Sequence, residues 1–231
     1  NGAYLAICDG DDYWVSVNKL QAQINKMKKN PDCNISFHSA IGRYEESNRK
    51  DKLIAMHDNK DKIFSIEDVI VGLGSFIPTS SIVIKSEIID TLKEDFFRIE
   101  SGDYYIQVLA SQNGALFIYD LQSVYRMGVL NSWSLMRTSI NSILSRKKKS
   151  LELFDIFDRV LKYKYGDILD KAKNVYIASI IKDHRLGFKH KYKLYINLKI
   201  NLFYKIILLP YLFSGLIRVL KYLYIETQST K

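Results

Sequence analysis

An apolar run that ends in a cluster of carboxylates is the feature that most constrains this chain. Residues 3–8 show no polar alternation, which is typical of a central strand covered on both faces of a parallel sheet. Asp9, Gly10, Asp11 and Asp12 follow at once. In open α/β sheets, ligands bind beyond the carboxyl ends of such strands. The sequence therefore predicts an α/β fold with a ligand site directly after this strand.

These three carboxylates need positive charge nearby. Like charges a few ångströms apart repel, so each group takes up a proton more readily unless a cation lies among them. A divalent cation that takes oxygen ligands, Mg²⁺ or Mn²⁺, fits such a cluster. The sequence therefore predicts a metal-binding loop, with an acidic turn that caps the following helix as the alternative.

The charge of the chain is divided between two regions. Residues 1–135 contain 14 Lys and Arg against 18 Asp and Glu, whereas residues 136–231 contain 20 against 7. The acidic region suits a catalytic domain, and the basic region suits an anionic surface such as lipid headgroups. The basic region has no recognised nucleic-acid reading motif, so we expect no nucleic-acid partner. The alternative is a general preference for Lys in the proteome.

The length and the pattern of hydrophobic residues indicate one domain with an appendage. The 231 residues, 47% of them hydrophobic, suffice for a sizeable core. We place the boundary near residue 137, before a basic helical extension over 138–231. In the first predicted helix, Leu20, Ile24 and Met27 fall at helical spacing. The pattern predicts helices at 19–29, 65–71, 86–93, 103–112, 151–165 and 168–181, strands at 33–40, 81–85, 115–119 and 123–126, and a polar excursion at 43–61.

The segment 202–224 is apolar around most of a helical circumference. Its uninterrupted part, 206–217, has 12 residues, which is short of the roughly 20 that a spanning helix needs. Lys205, Arg218 and Lys221 suit an interfacial helix on an anionic bilayer. A helix in the core or at a dimer interface and a true span are the alternatives. We expect a cytoplasmic protein that is peripheral to the inner face of the cell membrane.

Six blocks of residues 1–135 follow the order and approximate spacing of a known family. They resemble the catalytic half of family 2 glycosyltransferases with the GT-A fold, in which strings of the EGDDYW type carry a metal-binding DxD motif. The resemblance implies a partial GT-A, Rossmann-like sheet followed by a helical C-terminal extension. The blocks are CDGDDYW, KLQAQ, NPDCNISFH, FIPTSSIVIK, SGDYYIQVLASQNG and VYRMGVLNSWS.

The resemblance implies an inverting transfer of a sugar from a nucleotide-diphospho-sugar donor to a saccharide or lipid-linked acceptor in polysaccharide synthesis. Mg²⁺ or Mn²⁺ would offset the charge of the leaving diphosphate. Asp11 and Asp12 correspond to the metal and diphosphate ligands, and Asp9 to the ribose or sugar side. Asp103 corresponds to the general base that takes the proton of the acceptor hydroxyl. An N-cap role for Asp103 is the alternative.

The resemblance assigns four further residues with less specificity. Thr79 and Ser80 fall near the donor sugar and the acceptor, or are plain strand-edge residues. Arg126 could pair with phosphate oxygens, or form a structural ion pair. Trp133 offers a flat face on which a sugar could stack, although buried aromatic residues usually belong to the core.

Two departures from the family pattern change what we expect. Met127 and Gly128 stand where many relatives have a histidine that helps to hold the metal, and His38 is interpreted as a core residue. Asn1 is not an initiator methionine, and the first units that hold the nucleotide base in the family are absent. We therefore expect residues 1–231 alone to bind a nucleotide-sugar poorly. A non-catalytic membrane-docking or assembly module derived from the same fold is the alternative function.

Overall fold

A computed structural model describes residues 2–45, 49–92, 96–97, 99, 101–129, 140–183, 185–200 and 202–213. The predictions for Trp133, the boundary at 137 and the segment 214–224 lie outside these residues. Within them, strands and helices are interspersed up to residue 127 and helices alone follow, so the structure is mixed α/β as the sequence predicts.

Within the described residue ranges, seven strands form one mixed sheet. Its order is β1-β6-β3-β7-β2, with β4 beside β3 and β5 beside β7. Strands β3 and β7 are parallel, and every other pair is antiparallel. The strands are β1 Tyr4–Ala6, β2 Tyr13–Trp14, β3 Ile35–Tyr44, β4 Lys52–Ile54, β5 Lys62–Phe64, β6 Val83–Lys85 and β7 Ala115–Met127.

The long strands β3 and β7 organise the sheet. Their register shifts between His38 and Ala40, so the two strands are irregular in the middle. The first halves pair with β6 and β5, and the second halves pair with β4 and β2. The predicted strands at 115–119 and 123–126 are therefore the two parts of one bent strand, because a bulge bends a strand without ending it.

The prediction of a central parallel strand over residues 3–8 is wrong. Strand β1 is the end strand of the sheet order and pairs antiparallel with β6. Leu5 is 39% exposed. An apolar run without alternation predicts a strand covered on both faces, but it does not fix the strand's neighbours or direction. The polar excursion predicted at 43–61 is likewise partly wrong, because β4 lies inside it and β3 extends to Tyr44.

Helices cover the sheet and continue beyond it. The predicted helix at 19–29 is confirmed with these bounds, and those at 65–71, 103–112 and 168–181 are confirmed with ends shifted by one or two residues. The helix predicted at 86–93 is shorter, and the one predicted at 151–165 spans Ile140–Val160 instead. Ser65 and Asp68 form a capping box at the start of α2. The helices are α1 Lys19–Lys29, α2 Ile66–Gly72, α3 Glu87–Asp90, α4 Gly102–Ala110, α5 Ile140–Val160, α6 Gly166–Lys182, α7 Phe188–Ile196 and α8 Leu202–Leu212, with short 3₁₀ turns at Leu73–Ser75 and Thr79–Ser81.

The inner face of α1 is polar. Lys19, Gln23 and Met27 are buried, whereas Leu20 is 37% exposed. The Lys19 ammonium donates to Gln23 Oε1 at 2.7 Å, and Gln23 Nε2 donates to the Ser81 carbonyl at 2.9 Å. Because these buried polar groups satisfy one another, they replace the apolar face that helical spacing indicates.

Helices α5 and α6 contribute to the hydrophobic core that packs against the sheet. Phe157 of α5 stacks on Tyr105 of α4, with ring centroids 5.8 Å apart and planes 15° from parallel. Leu153 of α5 and Ala172 of α6 belong to the same buried cluster as Phe37 of β3. The first part of the basic extension is therefore packed on the sheet, while the division at 137 stays a prediction. No helix in the described ranges is long and apolar enough to cross a bilayer.

We expect Gly114→Ala to destabilise the protein by about 1–3 kcal/mol. Gly114 has φ +100°, and a Cβ there would lie 2.5 Å from Ile63 Cγ2. Gly166→Ala is the matched control, because a Cβ there meets nothing within 4 Å. Thermal unfolding of both variants measures the difference. Equal stability of the two variants would contradict this account of the turn before β7.

Candidate active site

The acidic loop, Asp9–Asp12, is held against β7. The loop turns back on itself through a hydrogen bond from the Asp12 N–H to the Asp9 carbonyl at 3.0 Å. Strand β2 follows and pairs Tyr13 with Val124 of β7. The Asp12 carboxylate accepts the Arg126 backbone N–H through Oδ1 at 3.0 Å. Pairing and hydrogen bond together place the carboxylates of the loop beside the end of β7.

A second contact ties the loop to the turn at Thr79–Ser81. The indole N–H of Trp14 donates to the Ser80 carbonyl at 2.8 Å, and the Lys19 ammonium lies over the Trp14 ring at 4.5 Å. Thr79 in this turn donates from its hydroxyl to Asp103 Oδ2 at 3.4 Å. Residues that lie far apart in sequence are thereby brought to one place.

Asp103 lies in the first turn of α4, and the N-cap residue is Ser101. The alternative in which Asp103 is the N-cap is therefore wrong. A carboxylate in the first helical turn is stabilised by the helix dipole, because the helix N-terminus carries partial positive charge. Together with the Thr79 hydroxyl, the helix keeps Asp103 fixed in a position where it faces a cavity.

The cavity has a volume of about 830 Å³. Its polar wall contains Asp9, Asp11, Thr79, Asp103 and Tyr125. The rest of the wall is mainly apolar and is formed by residues of several elements, among them Ile54, Leu73, Ile77, Leu153, Phe154 and Tyr176. The site therefore combines a carboxylate cluster with an apolar wall that helices α5 and α6 partly supply.

Burial, together with neighbouring carboxylates, raises the pKa of Asp9, Asp12 and Tyr125. Partial burial raises the pKa of Asp9, and the neighbouring Asp103 and Asp11 raise it further. Burial also raises the pKa of Asp12, to about 6, although the Arg126 N–H and the nearby Ser80 hydroxyl oppose this shift. Burial raises the pKa of Tyr125, and all four carboxylates add to the effect. Asp9, Asp11, Asp12 and Asp103 therefore share one field of excess negative charge.

Asp12 has one carboxylate oxygen that a divalent cation could use, although Asp12 is not among the residues that line the cavity. Within the part of the chain that the structure describes, Asp12 Oδ2 is buried without a hydrogen-bond partner, and the nearby Ser80 hydroxyl does not reach hydrogen-bond geometry. Among the described residues, no Lys or Arg side chain forms an ion pair with the four carboxylates. No group of three His, Cys, Asp or Glu side chains arranged for a metal occurs within the same residues. Mg²⁺ needs no such group when substrate phosphates and water complete its shell, so Asp11 and Asp12 could hold it.

Arg126 forms the structural ion pair that was the alternative for this residue. Its Nε donates to Glu45 Oε1 at 3.0 Å, and its Nη1 lies 3.4 Å from the Asp11 carbonyl. The guanidinium therefore braces the acidic loop against the end of β3. Contact with a phosphate stays a prediction for Arg126.

The structure separates the two hydroxyl residues that the sequence groups together. Thr79 lines the cavity, whereas Ser80 is fully buried behind it and does not line it. Ser80 is therefore not placed to contact a sugar in the cavity. His38 is buried, its Nδ1 lies 2.7 Å from the Ser39 carbonyl, and burial lowers its pKa to about 4. The interpretation of His38 as a core residue is confirmed, but its Nε2 is buried without a hydrogen-bond partner among the described residues.

Sequence reasoning missed four residues that contribute to the site. Tyr125 lies among the four carboxylates, and its position beside Arg126 in the VYR block is a signal that could have found it. Glu45 gives no sequence signal, because it reaches Arg126 only through the pairing of β3 with β7. Leu153 and Phe154 looked like ordinary core positions of an amphipathic helix, but they also line the cavity.

No family model matches this chain. Over 134 residues, 57% of this chain, it is 26% identical to an uncharacterized protein of Mycobacterium bovis and to uncharacterized proteins of two Mycobacterium tuberculosis strains. The match covers 37% of each relative, so the chain spans well under half the length of the curated relatives it matches. The activity of the whole protein is therefore a matter for proposal.

We expect Asp12→Asn to stabilise the protein above pH 6. The pKa of Asp12 in the fold, about 6, exceeds the ordinary value of 3.8. The folded state therefore binds more protons than the unfolded state between these values, and stability is lost as the pH rises through this window. Asn keeps the acceptor for the Arg126 N–H and removes the charge. The expected gain is about 1–2 kcal/mol at pH 8 and near zero below pH 4, measured by thermal unfolding.

Asp61→Asn is the matched control, because Asp61 also accepts one backbone N–H at 3.0 Å, from Tyr119. Burial acts to raise the pKa of Asp61, but the Lys26 ion pair and this N–H lower it overall. We expect Asp61→Asn to destabilise the protein by up to about 1 kcal/mol at pH 8. A loss of stability in both variants would contradict the raised pKa of Asp12 in the folded protein.

Proposed function

We propose that this chain is the catalytic part of a glycosyltransferase. It moves a sugar from a nucleotide-diphospho-sugar to a hydroxyl group of a saccharide or lipid-linked acceptor in cell-surface polysaccharide synthesis. The observation that carries the proposal is the convergence of Asp9, Asp11 and Asp103 on one cavity, although about 90 residues separate the loop from α4. A GT-A arrangement of the sheet and an inverting outcome are parts of the same proposal.

Asp103 is the general base in this proposal. Its carboxylate takes the proton of the acceptor hydroxyl while the hydroxyl oxygen attacks the anomeric carbon from the face opposite the diphosphate. The bond from the anomeric carbon to the diphosphate oxygen breaks, and the leaving group departs with the electron pair. The Thr79 hydroxyl orients the base, because it donates to Asp103 Oδ2. A positioned base contributes about 10²- to 10⁴-fold in rate.

The acidic loop supplies the donor side. Asp11 and Asp12 would hold Mg²⁺ or Mn²⁺, which supplies charge neutralisation for the departing diphosphate. Asp9 lies at the cavity within the field of Asp103, so it suits hydroxyl groups of the donor sugar or ribose. The contact of Arg126 with Glu45 keeps the loop in place during this step. Tyr125 adds a hydroxyl group to the same wall of the cavity.

The decisive experiment is transfer by the complete gene product, including any residues outside 1–231. Release of nucleoside diphosphate is measured with a panel of UDP- and GDP-sugars and host membranes as acceptor. We expect Asp103→Asn to lower kcat by about 10²- to 10⁴-fold with little change in the donor KM, because only the base is lost. We expect Asp11→Asn and chelation by EDTA each to abolish turnover.

Asp167→Asn is the matched control, because Asp167 occupies the first turn of α6 as Asp103 occupies that of α4, and it is exposed. Activity of Asp103→Asn within twofold of the Asp167→Asn value would refute the base assignment. Full activity in EDTA would refute the metal. No release from any donor, with binding to membranes retained, would point to the non-catalytic docking module instead.

A further inference from the structure

We propose that helices α7 and α8 form a docking surface for an anionic lipid bilayer. Nearly the whole of α8 is apolar and exposed. Leu202, Phe203 and Ile206 are 73%, 67% and 58% exposed. A soluble surface rarely leaves so large an apolar area to water unless something binds it. This inference does not depend on the proposed function.

One stripe of α8 packs on the rest of the protein, and the Lys191 ammonium and the Tyr195 hydroxyl donate to carbonyls of the same helix. Leu208 and Leu212, four residues apart, are buried and pack in one cluster with Ile181 of α6 and Leu198 after α7. The other large apolar side chains of α8 are exposed. A helix that is apolar all round is normally buried on all sides, so the exposed side of α8 needs an apolar environment of its own.

Helix α7 extends the apolar area. Phe188, Tyr192 and Ile196 recur every four residues, and they are 46%, 48% and 52% exposed. The Phe188 ring stacks on Tyr192 with a centroid distance of 5.5 Å and lies 5.0 Å from the ring of Phe213, just after α8. The exposed side chains of the two helices therefore form one continuous surface, the α7–α8 face.

The charge around the α7–α8 face indicates which kind of partner binds it. Residues 185–213 contain six Lys and Arg and no Asp or Glu. Lys189, Lys193 and Lys199 are exposed, and the first two directly follow Phe188 and Tyr192 in the helix. Apolar side chains beside cations match a bilayer surface, where acyl chains lie below anionic headgroups. A second copy of this face would instead bring more positive charge and no acidic side chain, because residues 185–213 contain no Asp or Glu.

The geometry indicates a helix that lies on the bilayer. Helix α8 has 11 residues, about half of what a span requires. In the described part of the chain, no helix meets the length and hydropathy of a membrane span. Aromatic residues such as Phe203, Tyr204 and Tyr211 suit the boundary between headgroups and acyl chains, because their rings are apolar and the tyrosine hydroxyls are polar.

The test is co-sedimentation of the full chain with vesicles of phosphatidylcholine, with and without phosphatidylglycerol. We expect binding to the anionic vesicles that falls as salt is raised. Lys189→Glu with Lys193→Glu should weaken this binding at least 25-fold, because each lysine near an anionic surface contributes about fivefold. Phe203→Ser with Ile206→Ser should weaken it at least tenfold, even at low salt.

Matched controls use exposed residues elsewhere. Lys28→Glu with Lys29→Glu alters two exposed lysines of α1, and Phe97→Ser alters a phenylalanine that is 82% exposed. Both should bind vesicles as the unaltered chain does. Thermal unfolding checks that every variant is folded, which is expected because all the altered side chains are exposed.

Two results would overturn the proposal. One is vesicle binding that the α7–α8 variants and the control variants lower equally, or no vesicle binding by the unaltered chain. The other is a concentration-dependent dimer, seen by analytical ultracentrifugation, that Phe203→Ser with Ile206→Ser abolishes while vesicles do not compete with it. That result would assign the face to a second copy of the chain.

Discussion

The hydrogen bond from the Arg126 N–H to the Asp12 carboxylate is the contact on which the site depends. It holds the acidic loop at the end of β7, where β2 adds only a two-residue ladder. Without it, like charges would push the loop away from the Asp103 helix, because a carboxylate cluster repels itself. The Glu45–Arg126 ion pair supports the same corner from β3. These contacts therefore hold several negative charges close together. Their repulsion destabilises the fold unless a positively charged ligand offsets it.

The sequence predicted the local elements of this site better than the pairing of its strands and the contacts between its elements. Helix α1 and the position of Asp103 at a helix start follow from local spacing, which the sequence contains directly. The end position of β1 and the bend in β7 depend on which strands pair, and pairing joins residues far apart in the chain. The polar inner face of α1 was missed for a related reason. Lys19 is buried because Gln23 and Trp14 meet it, and neither contact is visible in hydrophobic spacing.

The helical region connects the cavity to the α7–α8 face. Tyr176 of α6 lines the cavity, and Ile177 and Ile181, within about one turn, pack against the cluster that holds α8. Phe154 of α5 adds to the same wall. A bilayer that binds the α7–α8 face would therefore lie at a fixed distance from the carboxylates. Under the proposed function, this arrangement suits an acceptor that is carried by the membrane. An acceptor with an apolar part would also match the apolar wall of the cavity.

The most direct test of the account is paramagnetic line broadening of the amide NMR signals of the chain by substoichiometric Mn²⁺. The account predicts that signals of the acidic loop, of Thr79, of Asp103 and of Tyr125 broaden first and together, and that Mg²⁺ reverses the effect. Broadening that is uniform over the surface, or that centres on acidic groups elsewhere such as Asp183, would show that the clustered carboxylates do not share a cation.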